Sequence, residues 1–186
     1  TDELSAHAKS NGVPVIWVGP FATALHESEI TRGTVDYILR KEWDFSVRDL
    51  LEALRERRDL HDIAGLTWTD DRGATVVNPD IAPIETLDEL PIPAYDLIDL
   101  SAFYESVFIR FPAATMITSR GCPFNCIYCS YPQTIYSRKF RAMSPQRVIR
   151  EIDYLVNERG VKEIRFDDDT IDIDAQRLID IGRLII

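Results

Sequence analysis

Positive charge is in short supply in this chain. Its 186 residues include 21 Lys and Arg against 31 Asp and Glu, a formal net charge of −10. A surface of that sign repels phosphate backbones, so nucleic acid is not an expected partner. No apolar run is long enough to cross a bilayer, so no membrane partner is expected either. No basic segment leads into an apolar stretch near the start, so no secretory leader is expected. Histidine is scarce: His7, His26 and His61 are the only three, and none stands at metal-site spacing from a cysteine. The cysteines also number three, and an odd count leaves one thiol over in any disulfide framework. What the chain does have is 45% hydrophobic residues, enough to bury a core in one or two small domains. Its start at Thr1-Asp2-Glu3, without methionine, and its apolar stop at Ile185-Ile186 give the expectation of a partial chain. Clustered thiols with no disulfide pattern give the expectation of a cytoplasmic, reducing, low-oxygen setting.

All three cysteines fall in one stretch, Ser119-Arg120-Gly121-Cys122-Pro123-Phe124-Asn125-Cys126-Ile127-Tyr128-Cys129-Ser130. The spacing is C-x3-C-x2-C. Pro123 and Asn125 favour turns, and Gly121 lets backbone approach a ligand closely. Such a loop can aim three sulfurs at one point. Iron–sulfur clusters are usually held by four thiolates, and structural zinc by four ligands. With only three cysteines, the economical inference is a 4Fe–4S cluster held by Cys122, Cys126 and Cys129, its fourth iron open to a small molecule. Two other readings stay open at this point. One is three thiols with no metal. The other is a zinc-binding interaction module completed by one of the histidines.

The motif Cys122-x3-Cys126-x2-Cys129, with Tyr128 before the third cysteine, resembles the signature of the radical S-adenosylmethionine (SAM) superfamily. Thr118-Ser119-Arg120-Gly121-Cys122-Pro123 and Phe166-Asp167-Asp168-Asp169-Thr170 resemble the branch in which a cobalamin-binding domain precedes the radical SAM domain. The resemblance runs from about Val13 to the C-terminus. It implies an enzyme that cleaves SAM reductively to methionine and a 5′-deoxyadenosyl radical, with methyl transfer or ring cyclisation as candidate reactions and a non-catalytic cluster-binding fragment as the alternative. It further implies a small-molecule substrate and an electron donor of the flavodoxin or ferredoxin type. Tyr128 would lie beside the adenine, mainly through its backbone. Asp168, Asp169 or Thr170 would accept hydrogen bonds from the SAM ammonium. Gly19-Pro20-Phe21-Ala22-Thr23 stands where that branch has a glycine-rich loop beside the cobalamin nucleotide tail, so Gly19 and Thr23 become cobalamin-site candidates. The branch's D-x-H-x-x-G cobalt-ligand motif is absent from the sequence, which leaves cobalamin open.

Taken in order, the pattern predicts a helix over residues 2–11 with Leu4, Ala6 and Ala8 as its apolar positions, and a strand from Val13 to Val18. A helix over 23–32 with Glu27 and Glu29 exposed, a strand from Val35 to Leu39, and a helix over 47–58 capped by Ser46 follow. That rhythm is the one of an open α/β sheet. It resembles the C-terminal part of a flavodoxin-like, cobalamin-binding-like domain over residues 1–58. Residues 59–112 then read as hairpin and linker, with Asp70-Asp71-Arg72-Gly73 as the hairpin turn and Leu87 to Asp96 as a proline-rich, acidic bridge. Leu97 to Tyr104 is a candidate helical turn, and Tyr95, Phe103, Tyr104, Phe108 and Phe111 read as packing aromatics. Residues 113–186 read as the start of a radical SAM domain, the first βα units of a partial TIM barrel. In this part a strand from Ala113 to Thr118 enters the cysteine loop. Arg138-Lys139-Phe140-Arg141 reads as a solvated basic loop, with help in holding an anionic carboxylate or cofactor group as the alternative. Ser144-Pro145 opens a helix closed by Gly160, Lys162 to Phe166 is a strand, and a last helix begins near residue 174.

Overall fold

Ile38 and Leu39 are neighbours in sequence and both fully buried. Successive side chains of a strand point to opposite faces, so this pair needs apolar cover on both sides, and the surrounding helices supply it. The computed structural model describes residues 2–102 and 107–186. Phe103 and Tyr104, expected to pack with the neighbouring aromatics, lie outside the described residues. The chain divides into two compact units, one of Thr1–Ile84 with Phe124–Arg138, the other of Glu85–Pro123 with Lys139–Ile186.

The first unit is built on a sheet of order β1-β2-β3-β4, with β1 Ile16–Trp17, β2 Tyr37–Leu39, β3 Leu66–Thr69 and β4 Thr75–Val77. β1 and β2 are parallel, and the other neighbours are antiparallel, with Ile38 opposite Thr67 and Trp68 opposite Val76. Helices α1 (Asp2–Ser10), α2 (Pro20–Ala24), α3 (His26–Thr31) and α4 (Asp44–Glu56) complete it. Leu39 packs with Leu50, Ala53, Leu60, Ile63 and Leu66 in the layer under α4. Ile38 packs with Trp17, Ala22, Ile30 and Val35 in the layer under α2 and α3. Truncating Leu50 to alanine removes a fully buried side chain of the kind whose loss costs about 2–5 kcal/mol.

Several details differ from the pattern reading. The helix expected over 23–32 is two helices that share Leu25 as boundary residue, and Glu29 is buried, its carboxylate paired with Arg32 at 2.9 Å. In α1 the apolar Leu4 faces solvent while Ser5 is buried, because its hydroxyl accepts the Trp17 indole N–H at 3.0 Å. Ser46 does not cap α4; Trp43 holds that position and the Ser46 hydroxyl donates to the Ala64 carbonyl at 2.7 Å. The hairpin is no free connector either. β3 pairs with β2, and the buried Arg40 fastens the strand after it, donating to the Leu66 and Asn78 carbonyls, the Thr67 hydroxyl and the Asp80 carboxylate.

That network also reaches His26, whose Nδ1 lies 3.0 Å from the Thr67 hydroxyl that accepts from Arg40. Burial first, and then the Arg40 charge, lower the His26 pKa below its ordinary value of 6.5. The unfolded chain therefore binds the proton more readily, and stability rises with pH. Chemical denaturation in steps from pH 7.5 to 5 is expected to show stability lost as pH falls below about 6.5, and His26→Gln is expected to flatten that loss.

In the second unit, β5 (Ala113–Met116) and β8 (Glu163–Phe166) run parallel, Ala113 opposite Glu163 and Met116 opposite Phe166. Parallel neighbours need a crossover. Part of it is α5 (Pro145–Asp153), continued by one π-helical turn, Tyr154–Glu158. Ser144 caps α5 by accepting from the Arg147 amide at 3.1 Å, as the sequence predicts. A short antiparallel pair, β6 (Ser119–Arg120) with β7 (Arg141–Ala142), precedes that crossover helix, and α6 (Ala175–Ile185) follows β8, capped by Asp174. The supposed bridge is docked rather than loose. Leu87, Leu90 and Tyr95 are buried, and the Tyr95 hydroxyl donates to Glu151 of α5 at 2.9 Å.

Candidate cofactor site

Two of the sequence candidates sit at the end of β1. Gly19 has φ 99°, a left-handed value that glycine tolerates, and it turns the chain into α2 with Pro20 at the first helical position. The Thr23 hydroxyl accepts from the Lys41 amide at 3.0 Å, which ties α2 to the residue following the β2 segment. In this unit the turn Pro132–Tyr136 packs on α2.

The cysteine stretch begins directly after β6. Gly121, at φ 87°, makes the turn out of the strand into Cys122. The Cys129 amide donates to the Cys126 carbonyl at 3.2 Å, so the second and third cysteines belong to one turn. Arg138 donates to the Phe124 carbonyl and ties the two ends of the 124–138 segment together. All three thiols are free; Cys126 is exposed and the other two are half-buried. Phe124 and Tyr128 are exposed, and Ile127 is 102% exposed. Among the described residues no three His, Cys, Asp or Glu side chains gather so as to hold a metal ion. The donor set itself, three accessible thiols on eight residues, fits an iron–sulfur cluster in kind and number. His26 is engaged with Thr67, and His61 with Asp59 at 2.6 Å.

The acidic strand end is more ordered than its charge suggests. Asp168 is not a solvated turn residue. Its Oδ1 accepts from the Thr118 amide at 3.0 Å, the Thr118 hydroxyl at 3.0 Å and the Ser119 hydroxyl. Its Oδ2 is buried and has no partner among the described residues, and the same is true of Thr170 Oγ1. Leaving a buried acceptor unmade costs about 1–3 kcal/mol, so two such atoms two residues apart mark a place for a donor. Partial desolvation, then the charges of Asp168 and Asp167, raise the Asp169 pKa above its ordinary value. A cation brought among these carboxylates relieves the repulsion.

The basic loop is solvated at Arg138 and Lys139, which are exposed, but not at Arg141. Lys139 pairs with Glu85, and Arg141 is buried, its Nε donating to the Lys139 carbonyl at 3.3 Å. Thr118 and Ser119 entered the sequence reading only as the start of the stretch that leads into Cys122, and Arg177 did not enter it; no local pattern marks any of them as a partner in the surroundings of Asp168.

Residues 116–185 match the Radical SAM superfamily. Over 174 residues the chain is 35% identical to an uncharacterised methyltransferase, PH0819, of Pyrococcus horikoshii, a stretch that covers 93% of this chain and 37% of that protein. Its fold matches that of TsrM from Kitasatospora setae, a radical SAM methyltransferase solved with tryptophan and aza-SAM. The TM-score is 0.71 over 99% of this chain and 35% of TsrM, at 18% identity. It also matches OxsB, a cobalamin-dependent radical SAM enzyme solved with aqua-cobalamin and SAM. There the TM-score is 0.69 over 98% of this chain and 26% of OxsB, at 22% identity. The chain thus spans between 26% and 37% of the length of these three proteins.

Proposed function

The chain belongs to the radical SAM superfamily, a family of enzymes, and from that premise we propose that it is the cluster-bearing part of an enzyme that cleaves SAM reductively and uses cobalamin for methyl transfer. Cys122, Cys126 and Cys129 would hold a 4Fe–4S cluster, which when bound supplies the single electron that opens the sulfonium C–S bond of SAM. Asp168 Oδ2 and Thr170 Oγ1 would accept from the SAM ammonium, with the Asp169 charge close behind. Tyr128 would lie along the adenine. In the first unit, Gly19 and Thr23 would border the cobalamin tail, at the strand end where open α/β sheets bind ligands. The reading divides the chain into a partial cobalamin-binding-like sheet to about residue 58, a hairpin and bridge to about 112, and the first βα units of a partial TIM barrel from 113. A small-molecule substrate and a flavodoxin- or ferredoxin-type donor complete it.

The observation that carries the reading is the pair of unpartnered acceptors, Asp168 Oδ2 and Thr170 Oγ1. They follow β8, whose parallel neighbour β5 leads through Thr118 into the cysteine stretch. The methyltransferase name of the Pyrococcus relative favours methyl transfer over cyclisation. Anaerobic reconstitution with iron and sulfide, reduction and addition of SAM is expected to yield methionine and 5′-deoxyadenosine, and titration with hydroxocobalamin is expected to show a bound corrinoid. Zinc in tetrahedral sulfur coordination, with no iron taken up, would sink the proposal.

A further inference from the structure

α6 carries a buried arginine that reaches the acidic strand end only through another side chain. Arg177 is 6% exposed. Its Nε donates to the Met143 carbonyl at 2.7 Å, and its Nη2 donates to both the Thr118 carbonyl, at 2.9 Å, and the Thr118 hydroxyl, at 2.8 Å. A threonine hydroxyl has one hydrogen to give. With an arginine N–H on its oxygen, that hydrogen is directed to Asp168 Oδ1, 3.0 Å away. The Thr118 amide and the Ser119 hydroxyl join it on the same oxygen. Three donors thus fix one oxygen of the carboxylate while the other stays buried and free.

We propose that Arg177 is a positioning residue for the ammonium site: by holding the Thr118 hydroxyl as a donor to Asp168 Oδ1, it turns Oδ2 toward the incoming ligand. This rests on the reading of Asp168 given above. Arg177 does not meet the ammonium itself, since both are cations. A free threonine hydroxyl rotates among several partners, and one held by a charged donor keeps a single orientation, so the carboxylate behind it keeps one orientation too. Groups one step removed from a ligand commonly set its affinity in this way. A purely structural role would need only the bonds from Arg177 to the two backbone carbonyls. The relay needs the hydroxyl.

Thr118→Val separates the two. It keeps the shape of the buried side chain, the carbonyl that Arg177 holds and the amide bond to Asp168, and it removes the relay alone. The measurement is anaerobic equilibrium binding to the cluster-loaded protein of SAM and of its desamino analogue, which lacks only the α-amino group. The wild-type protein is expected to prefer SAM. Thr118→Val is expected to weaken SAM about tenfold, the worth of one charge-assisted hydrogen bond, and to leave the desamino analogue unchanged. Arg177→Met is expected to do the same, and Arg177→Lys, which keeps a donor, to recover part of the loss. If Thr118→Val weakens both ligands equally or preserves the preference, the relay is overturned while the ammonium site stands. If the wild-type protein shows no preference for the amino group, the reading of Asp168 falls and the relay with it.

Discussion

Cys126→Ala is expected to leave the anaerobically reconstituted protein without the charge-transfer absorbance of an iron–sulfur cluster and with SAM cleavage at the level of the cluster-free protein. The chain has three cysteines, all three are free, and a cluster with one open iron uses every one. The histidines offer no ready replacement, since His26 is engaged with Thr67 and His61 with Asp59. Cys126 is also the most informative of the three, because it is exposed and its side chain supports no core. Alanine there costs the fold little, so loss of the cluster reports ligation and not unfolding. Circular dichroism of the variant is expected to overlay the wild type, and iron and sulfide analysis is expected to fall to the background of protein never reconstituted. Retention of four irons per chain in Cys126→Ala would remove this residue from the ligand set.

What could be read from the sequence was local, and what could not was the pairing of groups far apart in the chain. Ser144-Pro145 announced a helix start because the cap and the amide it satisfies are three residues apart. Asp70 to Gly73 announced a hairpin because the turn is self-contained; the Asp70 carboxylate accepts from the amides of Arg72 and Ala74. The docking of that hairpin on β2 depended on Arg40 reaching Asp80, 40 residues away, and nothing in a local pattern encodes it. The cysteine stretch was legible since its chemistry lies in residue type and spacing. The acidic strand end was half legible. Three aspartates in a row suggested a candidate site for a cation, while the claim on one Asp168 oxygen by Thr118 and Ser119, 50 and 49 residues earlier, needed the fold. Helix faces were legible in part. Apolar spacing puts Val148, Ile149, Ile152, Leu155 and Val156 on one face of α5 and the turn after it; Val148 and Leu155 are fully buried, but Arg147 and Glu151 are buried beside them and Val156 is exposed.

Those two charges yield the largest stability effect. Arg147→Met is expected to destabilise the fold by about 3–5 kcal/mol, the cost of leaving a buried charge without its partner. Arg147 and Glu151 stand one turn apart on α5, 2.9 Å from each other and 3% and 4% exposed. Around them further bonds converge. Arg147 also donates to the Leu90 carbonyl at 3.2 Å, and Glu151 accepts from the Tyr95 hydroxyl at 2.9 Å. That tyrosine's pKa is raised far above 10 by burial and the Glu151 charge, so it remains a donor throughout the working range. Methionine fills the space of the arginine stem but strands the Glu151 carboxylate with one neutral donor. Tyr95→Phe leaves the ion pair intact and is expected to cost only about 1–2 kcal/mol. Glu151→Gln in the Arg147→Met background removes the orphaned charge and is expected to restore much of the loss, a coupling that a double-mutant cycle by denaturant unfolding measures directly. If Arg147→Met and Tyr95→Phe cost the same, the pair is not what fastens the bridge segment to α5, and apolar packing of Leu87 and Leu90 does that instead.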